Sequence, residues 1–320
     1  MTDTLYARGM AGLMAGVGGK KLSMPYFNNL LIKDLYTPMS KPASTVPSQS
    51  PIYGDSDTNQ PSAGIGQVLH TRQAGPSTDP ATPLALVTID TDAPSVKYSP
   101  MIFGGFLEHF DRQVYGGVFD PGSPLSDGNG FRRDAIEALK ELRIPVVRWP
   151  GGCFVSGYHW EFGVGKDRQP TDDMAWGVIE PNTFGTDEYV ELCRVMGWEP
   201  YICNNAGNGT IEQMRNWVAY CNATTGKYAE LRKANGYSEP YDVPIWSIGN
   251  EKYHPTEIGH KPIGQWAPLV RDAARAMKEA DPDIKLTAAA QATREWTLPL
   301  LEAAGPYLDY ISIHSYWLHL

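Results

Sequence analysis

A short apolar run that ends in polar residues, and the long amphipathic segment after it, decide the fold. The run "VPIWSIGNE" (residues 243–251) has the length and apolar content of a buried strand and stops at Asn250 and Glu251. In the later segment "IGQWAPLVRDAARAMKEA" (residues 263–280), apolar residues recur at three- and four-residue steps, which places them on one face of a helix. A helix of this kind packs on a sheet, so the two segments predict one strand–helix unit.

The same alternation continues along the chain. Further apolar runs, separated by helical patterns, are "MIFGGFLEHF", "VVRW", "EPYIC", "IKLTAAA" and "DYISIH". Repeated strand–helix units require a mainly parallel sheet, either closed as a barrel or open and doubly wound. No GxGxxG or GxxxxGK[ST] motif follows a strand, whereas polar residues follow several strands, as at the carboxyl-end face of a barrel. We predict an α/β fold of the (β/α)8 TIM-barrel type, incomplete in this chain, with about six strands.

The sequence before this region has a different composition. From about residue 37 to residue 83 it is rich in Pro, Ser, Thr, Gly and Gln, and such a segment buries too little apolar surface to offset its ordering entropy. We predict a largely disordered or loosely packed extension at 1–83, a strand of an accessory domain within 84–100, and the partial barrel at 101–320.

Charge and cysteine content limit the partners and the compartment. A net charge of −9 and a pI near 5.3 argue against nucleic acid and anionic membrane surfaces, so a neutral small molecule fits better. The four cysteines have no metal-ligand spacing, which favours reduced thiols in a cytosolic protein and leaves a disulfide as the alternative. With no apolar run approaching a membrane span and no clear cleavage site, we predict a cytoplasmic protein, with secretion as the alternative.

Glu251 is the candidate for acid–base chemistry. A carboxyl group at the rim of an apolar strand is partly desolvated, which raises its pKa and allows it to act as a general acid near neutral pH. Asn250 beside it has a donor and an acceptor, which suits a hydroxyl next to the bond being broken. The alternative is that Glu251 caps the next helix or pairs with an arginine. Sugar chemistry is the natural expectation.

Five motifs occur in order between about residue 84 and the last residue. They are "GGFLEHFDRQVYGGVFDPGSP", "VRWPGGCFVSGYHWEFGVG", "MAWGVIEPNTFGTDEY", "IWSIGNE" and "YISIHSY". Together they resemble the α-L-arabinofuranosidases of glycoside hydrolase family 51. The resemblance implies a retaining glycosidase that releases terminal non-reducing α-L-arabinofuranosyl residues without a metal or organic cofactor. It also implies that the strand within 84–100 belongs to a β-sandwich domain.

The resemblance assigns roles to four residues of these motifs. It implies that Glu251 is the general acid/base and that Asn250 binds the 2-hydroxyl of the sugar. It implies that Glu108 hydrogen-bonds the arabinofuranosyl ring, with a structural role as the alternative. Tyr316 matches a family tyrosine that steadies the nucleophile or the ring.

Four more residues are expected to bind substrate or support the site. Arg148 orients carboxylates with its rigid fork of donors, or forms a stabilising ion pair below the site. Trp176 stacks on a sugar face or lies in the core. His314 supports the network or is a buried, satisfied histidine. Family members often carry Asn at the position of Cys153, where it contacts the sugar, and a thiol makes only weak hydrogen bonds.

The second carboxylate of a retaining mechanism is not identified in this chain. Such enzymes need two carboxyl groups about 5 to 5.5 Å apart. The family's nucleophilic Glu follows the seventh strand, and about six strands are predicted here, so we expect the chain to be inactive without a C-terminal complement. The resemblance also suggests an assembly, either a homo-oligomer or a complex with a complementing C-terminal chain.

Two other functions fit the same residues. A β-xylosidase or endo-glucanase would share the fold and the chemistry. A non-catalytic carbohydrate-binding or regulatory remnant would keep the binding groups while Glu251 did no chemistry.

Overall fold

The computed structural model describes residues 97–314 and the backbone of two strands before them, Leu30–Asp34 and Ala85–Ile89. Contacts divide the chain into two units, with the division between Ile102 and Phe103. The predicted extension at 1–83 lies mostly outside the described residues. The predicted domain boundaries therefore stay predictions.

The two early strands form an antiparallel pair. Leu30 lies opposite Ile89, and Asp34 lies opposite Ala85. The strand predicted within 84–100 is present at Ala85–Ile89, whereas its partner at Leu30–Asp34 was not predicted. Whether this pair belongs to a β-sandwich stays a prediction.

A parallel sheet of six strands lies within residues 97–314. Every neighbouring pair is parallel, and the strands are arranged in chain order. We label them β1 (Gly105–Phe106), β2 (Val146–Trp149), β3 (Glu199–Asn204), β4 (Ile245–Ile248), β5 (Lys285–Ala290) and β6 (Tyr310–Ile313). The predicted α/β class and the six barrel-type strands are confirmed.

Helices connect successive strands and cover the sheet. They are α1 (Arg133–Leu142), α2 (Thr186–Met196), α3 (Ile211–Asn222), α4 (Lys227–Ala234), α5 (Ile263–Ala280) and α6 (Arg294–Ala304). α3 begins with a capping box, because the Thr210 hydroxyl accepts from the Gln213 N–H at 3.1 Å and the Gln213 side chain accepts from the Thr210 N–H at 2.9 Å. The second helix after β3, α4, was not predicted.

Aromatic side chains fill the core between the sheet and the helices. The predicted apolar face of α5 is buried there, and the largest fully buried side chains include Trp149, Trp217, Trp246 and Trp266. Trp149 stacks on the Tyr189 ring, with 4.7 Å between the centroids. Large rings bury much apolar area each, so this layer dominates the packing that holds the strand ends in place.

Tyr189 of α2 also supplies hydrogen bonds at a point where the sheet lacks a backbone donor. Val147 is the register partner of Pro200, which has no N–H to donate. The Tyr189 hydroxyl donates to the Val147 carbonyl at 2.5 Å and accepts from the Tyr201 N–H at 2.9 Å. One phenol therefore bridges β2 and β3.

Replacing Tyr189 by Phe tests this bridge. The variant leaves two buried backbone groups without this partner, so we expect the free energy of unfolding in urea to fall by about 1–3 kcal/mol. Tyr228→Phe on α4, where the ring is only partly buried, is the matched control and should change it by less than about 0.5 kcal/mol. Equal losses in the two variants would contradict the bridge.

Candidate active site

Polar side chains that follow three strands of the sheet, and one within a fourth strand, meet at its carboxyl-end face. Glu108 follows β1, Asn250 and Glu251 follow β4, and His314 follows β6, while Arg148 lies within β2. A chain of contacts, described below, connects them. Parallel strands place their carboxyl ends at the same edge, which is why residues so distant in sequence come together.

The backbone turns sharply where β4 ends. Gly249 has a φ of +67° and Glu251 a φ of +39°, and the left-handed region is uncommon for a residue with a side chain. A Cβ at Gly249 would lie 2.7 Å from the Trp266 ring and 2.8 Å from the Ala206 Cβ, so only glycine fits. Unusual backbone of this kind concentrates at functional sites, where the surrounding packing maintains it.

Asn250 is buried and is held at both ends of its amide. Its Oδ1 accepts from the Arg148 Nη2 at 3.0 Å, and its Nδ2 donates to the Glu257 Oε1 at 3.5 Å. Arginine has donors only, so the amide atom that faces it must be the oxygen. The orientation of the Asn250 side chain is therefore defined by its neighbours.

Arg148 is buried and contacts an amide where a carboxylate was predicted. Besides Asn250, its Nη2 contacts the Cys203 Sγ at 3.3 Å, and its guanidinium lies 5.2 Å from the centre of the Phe106 ring. The Arg148 charge also counts among the influences that lower the pKa of Glu108. We conclude that this arginine fixes Asn250 and adds positive potential.

Glu251 and His314 contact each other directly. The Glu251 Oε1 lies 2.6 Å from the His314 Nδ1, and the His314 Nε2 lies 3.0 Å from the Ser312 hydroxyl. Glu251 is 9% exposed and His314 is only partly buried, so the alternative of a buried histidine is wrong. A carboxyl group and an imidazole at this distance share a hydrogen bond through which a proton can be held between them.

Glu108 is buried and held by backbone donors. Its Oε1 accepts from the Phe154 N–H at 3.3 Å. Burial raises the pKa of the Glu108 carboxyl, while hydrogen bonds from the Phe154 and Gly152 backbone, the Arg148 charge and a hydrogen bond from Trp176 oppose that rise. Gly152 lies beside both the acid and the amide, since a Cβ at this position would be 3.6 Å from the Glu108 and Asn250 side chains.

A second buried acid, Glu180, supports this region and was missed by the sequence analysis. The Trp149 indole donates to the His109 Nε2 at 3.0 Å, so the His109 Nδ1 carries the hydrogen and donates to the Glu180 Oε2 at 2.8 Å. The Tyr115 hydroxyl also donates to Glu180. The His109 ring stacks on Phe154, with centroids 4.5 Å apart, and so supports the residue whose N–H binds Glu108.

Trp176 lies on a short hairpin and not in the core. The hairpin pairs Thr171–Asp172 with Ile179–Glu180, and the Asp173 carboxylate accepts from the Trp176 N–H at 3.3 Å in its turn. Trp176 is 40% exposed and packs against Phe110, with 4.5 Å between the ring centroids. The alternative of a core tryptophan is therefore wrong, and an exposed aromatic pair remains.

Cys153 is partly exposed at the same face. Burial, together with the nearby Glu257 carboxylate, raises the pKa of its thiol to about 12, so the group is an S–H donor at neutral pH. All four cysteines are free thiols. A contact between Cys153 and the sugar stays a prediction, and Tyr316 lies outside the described residues.

Behind Asn250 lies a buried cluster of Lys252, Glu257 and Ser156, which the sequence did not reveal. The Ser156 hydroxyl accepts from the Lys252 Nζ at 2.7 Å and donates to the Glu257 Oε1 at 2.5 Å, and the Lys252 Nζ also donates to the Ile258 carbonyl at 2.5 Å. The Nζ and Oε1 atoms are 3.7 Å apart. Lys252 and Glu257 lie in a loop whose polar sequence is typical of a solvent-exposed segment, and no pattern in the sequence predicts that they are buried.

The amides after β3 have a structural role. The Asn205 Oδ1 accepts from three backbone N–H groups, those of Gly207, Asn208 and Gly209.

Within residues 97–314, no three His, Cys, Asp or Glu side chains are arranged to hold a metal ion. None of the described helices has the length and hydropathy needed to cross a membrane.

Fold and strand-end residues together point to a class, the glycoside hydrolases built on a (β/α)8 barrel, which present acids and amides at the ends of their strands. The family model described as "Alpha-L-arabinofuranosidase 1 domain" matches residues 138–318. The chain belongs to the α-L-arabinofuranosidases of glycoside hydrolase family 51.

Individual relatives agree with this assignment. The chain is 46% identical to a protein of Aspergillus clavatus named "Probable alpha-L-arabinofuranosidase C", over 69% of this chain and 47% of that protein. It is 39% identical to the "Intracellular exo-alpha-(1->5)-L-arabinofuranosidase" of Acetivibrio thermocellus, over 73% of this chain and 48% of that protein. The chain spans about half the length of the curated relatives it matches.

A solved structure matches the fold as well. The thermostable GH51 α-L-arabinofuranosidase of Thermotoga petrophila is 45% identical, with a TM-score of 0.65 over 67% of this chain and 45% of that one. The resemblance to this family and the TIM-barrel prediction are thereby confirmed.

Two neighbouring glycines provide a test of how Glu108 is placed. In Gly151→Ala the new Cβ would lie 2.5 Å from the Glu108 Cγ, so the acid must shift and its bond to the Phe154 N–H weakens. We expect a loss of about 1–3 kcal/mol in the free energy of unfolding, to which the φ of +154° at Gly151 also contributes, and a displaced Glu108 in a crystal structure, which reports the packing itself. In the control Gly152→Ala the nearest contacts are 3.6 Å, and Glu108 should stay in place. Movement in both variants, or in neither, would contradict this packing.

The burial of Lys252 provides a second test, based on pH. Burial lowers the pKa of Lys252 from 10.5 to about 8. Between these pH values the unfolded chain binds more protons than the folded chain, so this group makes stability rise with pH. The unfolding free energy of the parent minus that of Lys252→Met should increase by about 3 kcal/mol across this window in urea titrations.

Lys285 is the matched control for the pH test. Its pKa is raised above 10.5 by the Asp309 carboxylate, so the same difference for Lys285→Met should stay nearly constant between pH 8 and 10.5 and fall only at higher pH. A flat difference for Lys252→Met would show that its ammonium is not desolvated.

Proposed function

We propose that this chain supplies the acid/base and sugar-binding half of a retaining exo-acting α-L-arabinofuranosidase. The observation that carries the proposal is the buried Glu251 carboxyl at the end of β4, next to Asn250 and 2.6 Å from His314. The names of the relatives, which include an exo-acting α-(1→5)-L-arabinofuranosidase, support the substrate class of terminal non-reducing arabinofuranosyl residues.

Glu251 would act twice in one turnover. As the glycosidic bond breaks, the carboxyl group gives its proton to the leaving oxygen, and the resulting carboxylate then takes a proton from the water that releases the sugar. His314 can stabilise the carboxylate between these steps by donating from Nδ1. The Glu251 side chain reaches His314, which follows β6.

Sugar binding would use the groups around this acid. Asn250 binds the 2-hydroxyl, and Glu108 accepts hydrogen bonds from ring hydroxyls. Trp176, packed on Phe110, offers an apolar ring face for stacking. Arg148 contributes through Asn250, Cys153 lines the site, and Tyr316 steadies the nucleophile or the ring.

The nucleophilic carboxylate would come from outside residues 97–314. The two other acids near the site are already engaged, Glu108 by backbone N–H groups and Glu257 by Ser156 and Lys252. A complementing C-terminal segment or chain that adds the remaining barrel strands is the source we propose, within a homo-oligomer or a two-chain complex. No cofactor, nucleic acid or membrane takes part in this scheme, and the name of the intracellular relative supports a cytoplasmic location.

An activity assay with added complement tests the proposal. The purified 320-residue chain should release no arabinose from a nitrophenyl α-L-arabinofuranoside, and co-expression with the C-terminal half of the Thermotoga petrophila enzyme should restore release. Release by the chain alone would refute the external nucleophile. Binding of arabinose without any activity in the complemented form would favour a carbohydrate-binding remnant.

A substitution at Glu251 tests its chemical role. In the complemented protein, Glu251→Gln should lower turnover by about 10²–10⁴-fold on arabino-oligosaccharides, whose leaving groups need protonation. The loss in the first step should be far smaller for a nitrophenyl leaving group. The isosteric control Glu302→Gln, at an exposed position of α6, should keep parent activity on both substrates. Equal losses of kcat/KM on both substrates, a quantity that reports the first step and not the shared second one, would argue against general-acid catalysis by Glu251.

A further inference from the structure

Two opposite charges are buried directly behind Asn250 without an evident gain in stability. Lys252 is 0% exposed and Glu257 is 6% exposed. Removing two charges from water costs several kcal/mol each, and replacing such a pair by packed apolar residues is often neutral or stabilising. A role other than stability therefore explains the pair better. In some proteins, buried ionic groups hold neighbouring polar groups in one arrangement.

The neighbour that this pair can fix is the Asn250 amide. The cationic guanidinium of Arg148 faces its oxygen at 3.0 Å, and the anionic Glu257 faces its nitrogen at 3.5 Å. If the amide were flipped, its NH₂ would face the cation and its oxygen would face the anion. Both contacts would become repulsive, so the two charges select one orientation.

Glu257 is itself held in place by its other contacts. Ser156 donates to the same Oε1 at 2.5 Å, and the Cys153 thiol contributes a hydrogen bond to this carboxylate. Lys252, tied to Ser156 and to the Ile258 carbonyl, keeps a positive charge 3.7 Å away. The carboxylate therefore has few other positions available to it.

We propose that Glu257, held by Lys252 and Ser156, is a positioning residue that sets the direction in which Asn250 presents its amide to the sugar. The proposal rests on the proposed function, in which Asn250 binds a sugar hydroxyl. One Nδ2 hydrogen points to Glu257 and one Oδ1 lone pair accepts from Arg148. The remaining N–H and the remaining lone pair are then fixed in space for the substrate.

Nuclear magnetic resonance of the side-chain amides tests the positioning without any ligand. In the chain labelled with ¹⁵N-asparagine, the Asn250 signal is assigned by its absence from Asn250→Asp. We expect Glu257→Gln to shift the Asn250 amide protons upfield, because a neutral acceptor replaces a carboxylate. The Asn205 amide, which donates to the Tyr158 carbonyl and to Asn208, should not move and serves as the internal reference.

The double variant Lys252→Met with Glu257→Gln repeats the test in case the single variant does not fold. It removes both charges and leaves no unpaired ion buried, so it should fold and show the same Asn250 shift. An Asn250 signal that stays at its parent position in the folded variants would overturn the proposal. Glu302→Gln is the control for an effect of net charge, and it should leave both amide signals unchanged.

Sugar binding then separates this inference from the proposed function. The parent chain should bind L-arabinose more tightly than the 2-deoxy sugar, and Glu257→Gln should reduce that preference by about threefold to tenfold. A parent without preference, together with a shifted Asn250 signal, would refute the role of Asn250 in the proposed function and leave the positioning supported. An unchanged preference in Glu257→Gln would count against the positioning.

Discussion

A single guanidinium nitrogen joins three neighbouring strands at the face where the site lies. The Nη2 of Arg148, in β2, contacts the Cys203 sulfur of β3 and the Asn250 oxygen that follows β4. Because the strands are parallel and in register, an arginine on β2 reaches across β3 to the end of β4. The position of the amide, and of the acid next to it, therefore depends on this one cation.

Three carboxyl groups lie at this face, and each contacts a different set of partners. Glu251 has an imidazole, Glu108 has backbone N–H groups and a distant cation, and Glu257 has a serine hydroxyl and a buried ammonium. Different environments are how nearby carboxyl groups in one site come to hold their protons with different strength. Without these partners, like charges would raise one another's pKa values and the division of roles would be lost.

Much of this arrangement could be predicted from the sequence, and the reason is periodicity. Strand–helix alternation gave the parallel sheet, and polar residues after apolar runs gave Glu108, Asn250, Glu251 and His314, since strand ends of a parallel sheet meet at one edge. The helix α4 was missed because its apolar face is short and weakly marked. Ala85–Ile89 was expected as a strand, while its partner Leu30–Asp34 lies too far away in sequence for local patterns to reveal the pairing.

Side-chain partners could not be predicted in the same way. Lys252 and Glu257 stand in a loop rich in polar residues, where charges are normally solvated, and only tertiary packing buries them. Glu180 occurs in a two-residue strand and is paired with His109 from a segment 71 residues earlier. Such contacts are set by how loops fold over the sheet, and neither propensity nor spacing encodes them.

The hydrogen bond between Glu180 and His109 limits how the hairpin that carries Trp176 can move. It anchors the base of the hairpin at Glu180 to the strand end that also carries Glu108, while Trp176 lies near the hairpin's turn. A ligand that displaces Trp176 would have to bend residues 173–178 while Glu180 stays in place, because moving Glu180 would break a buried hydrogen bond. Movement would thus be confined to the residues near the turn, and it would reach Glu108 only through the hydrogen bond that Trp176 makes to this carboxyl group.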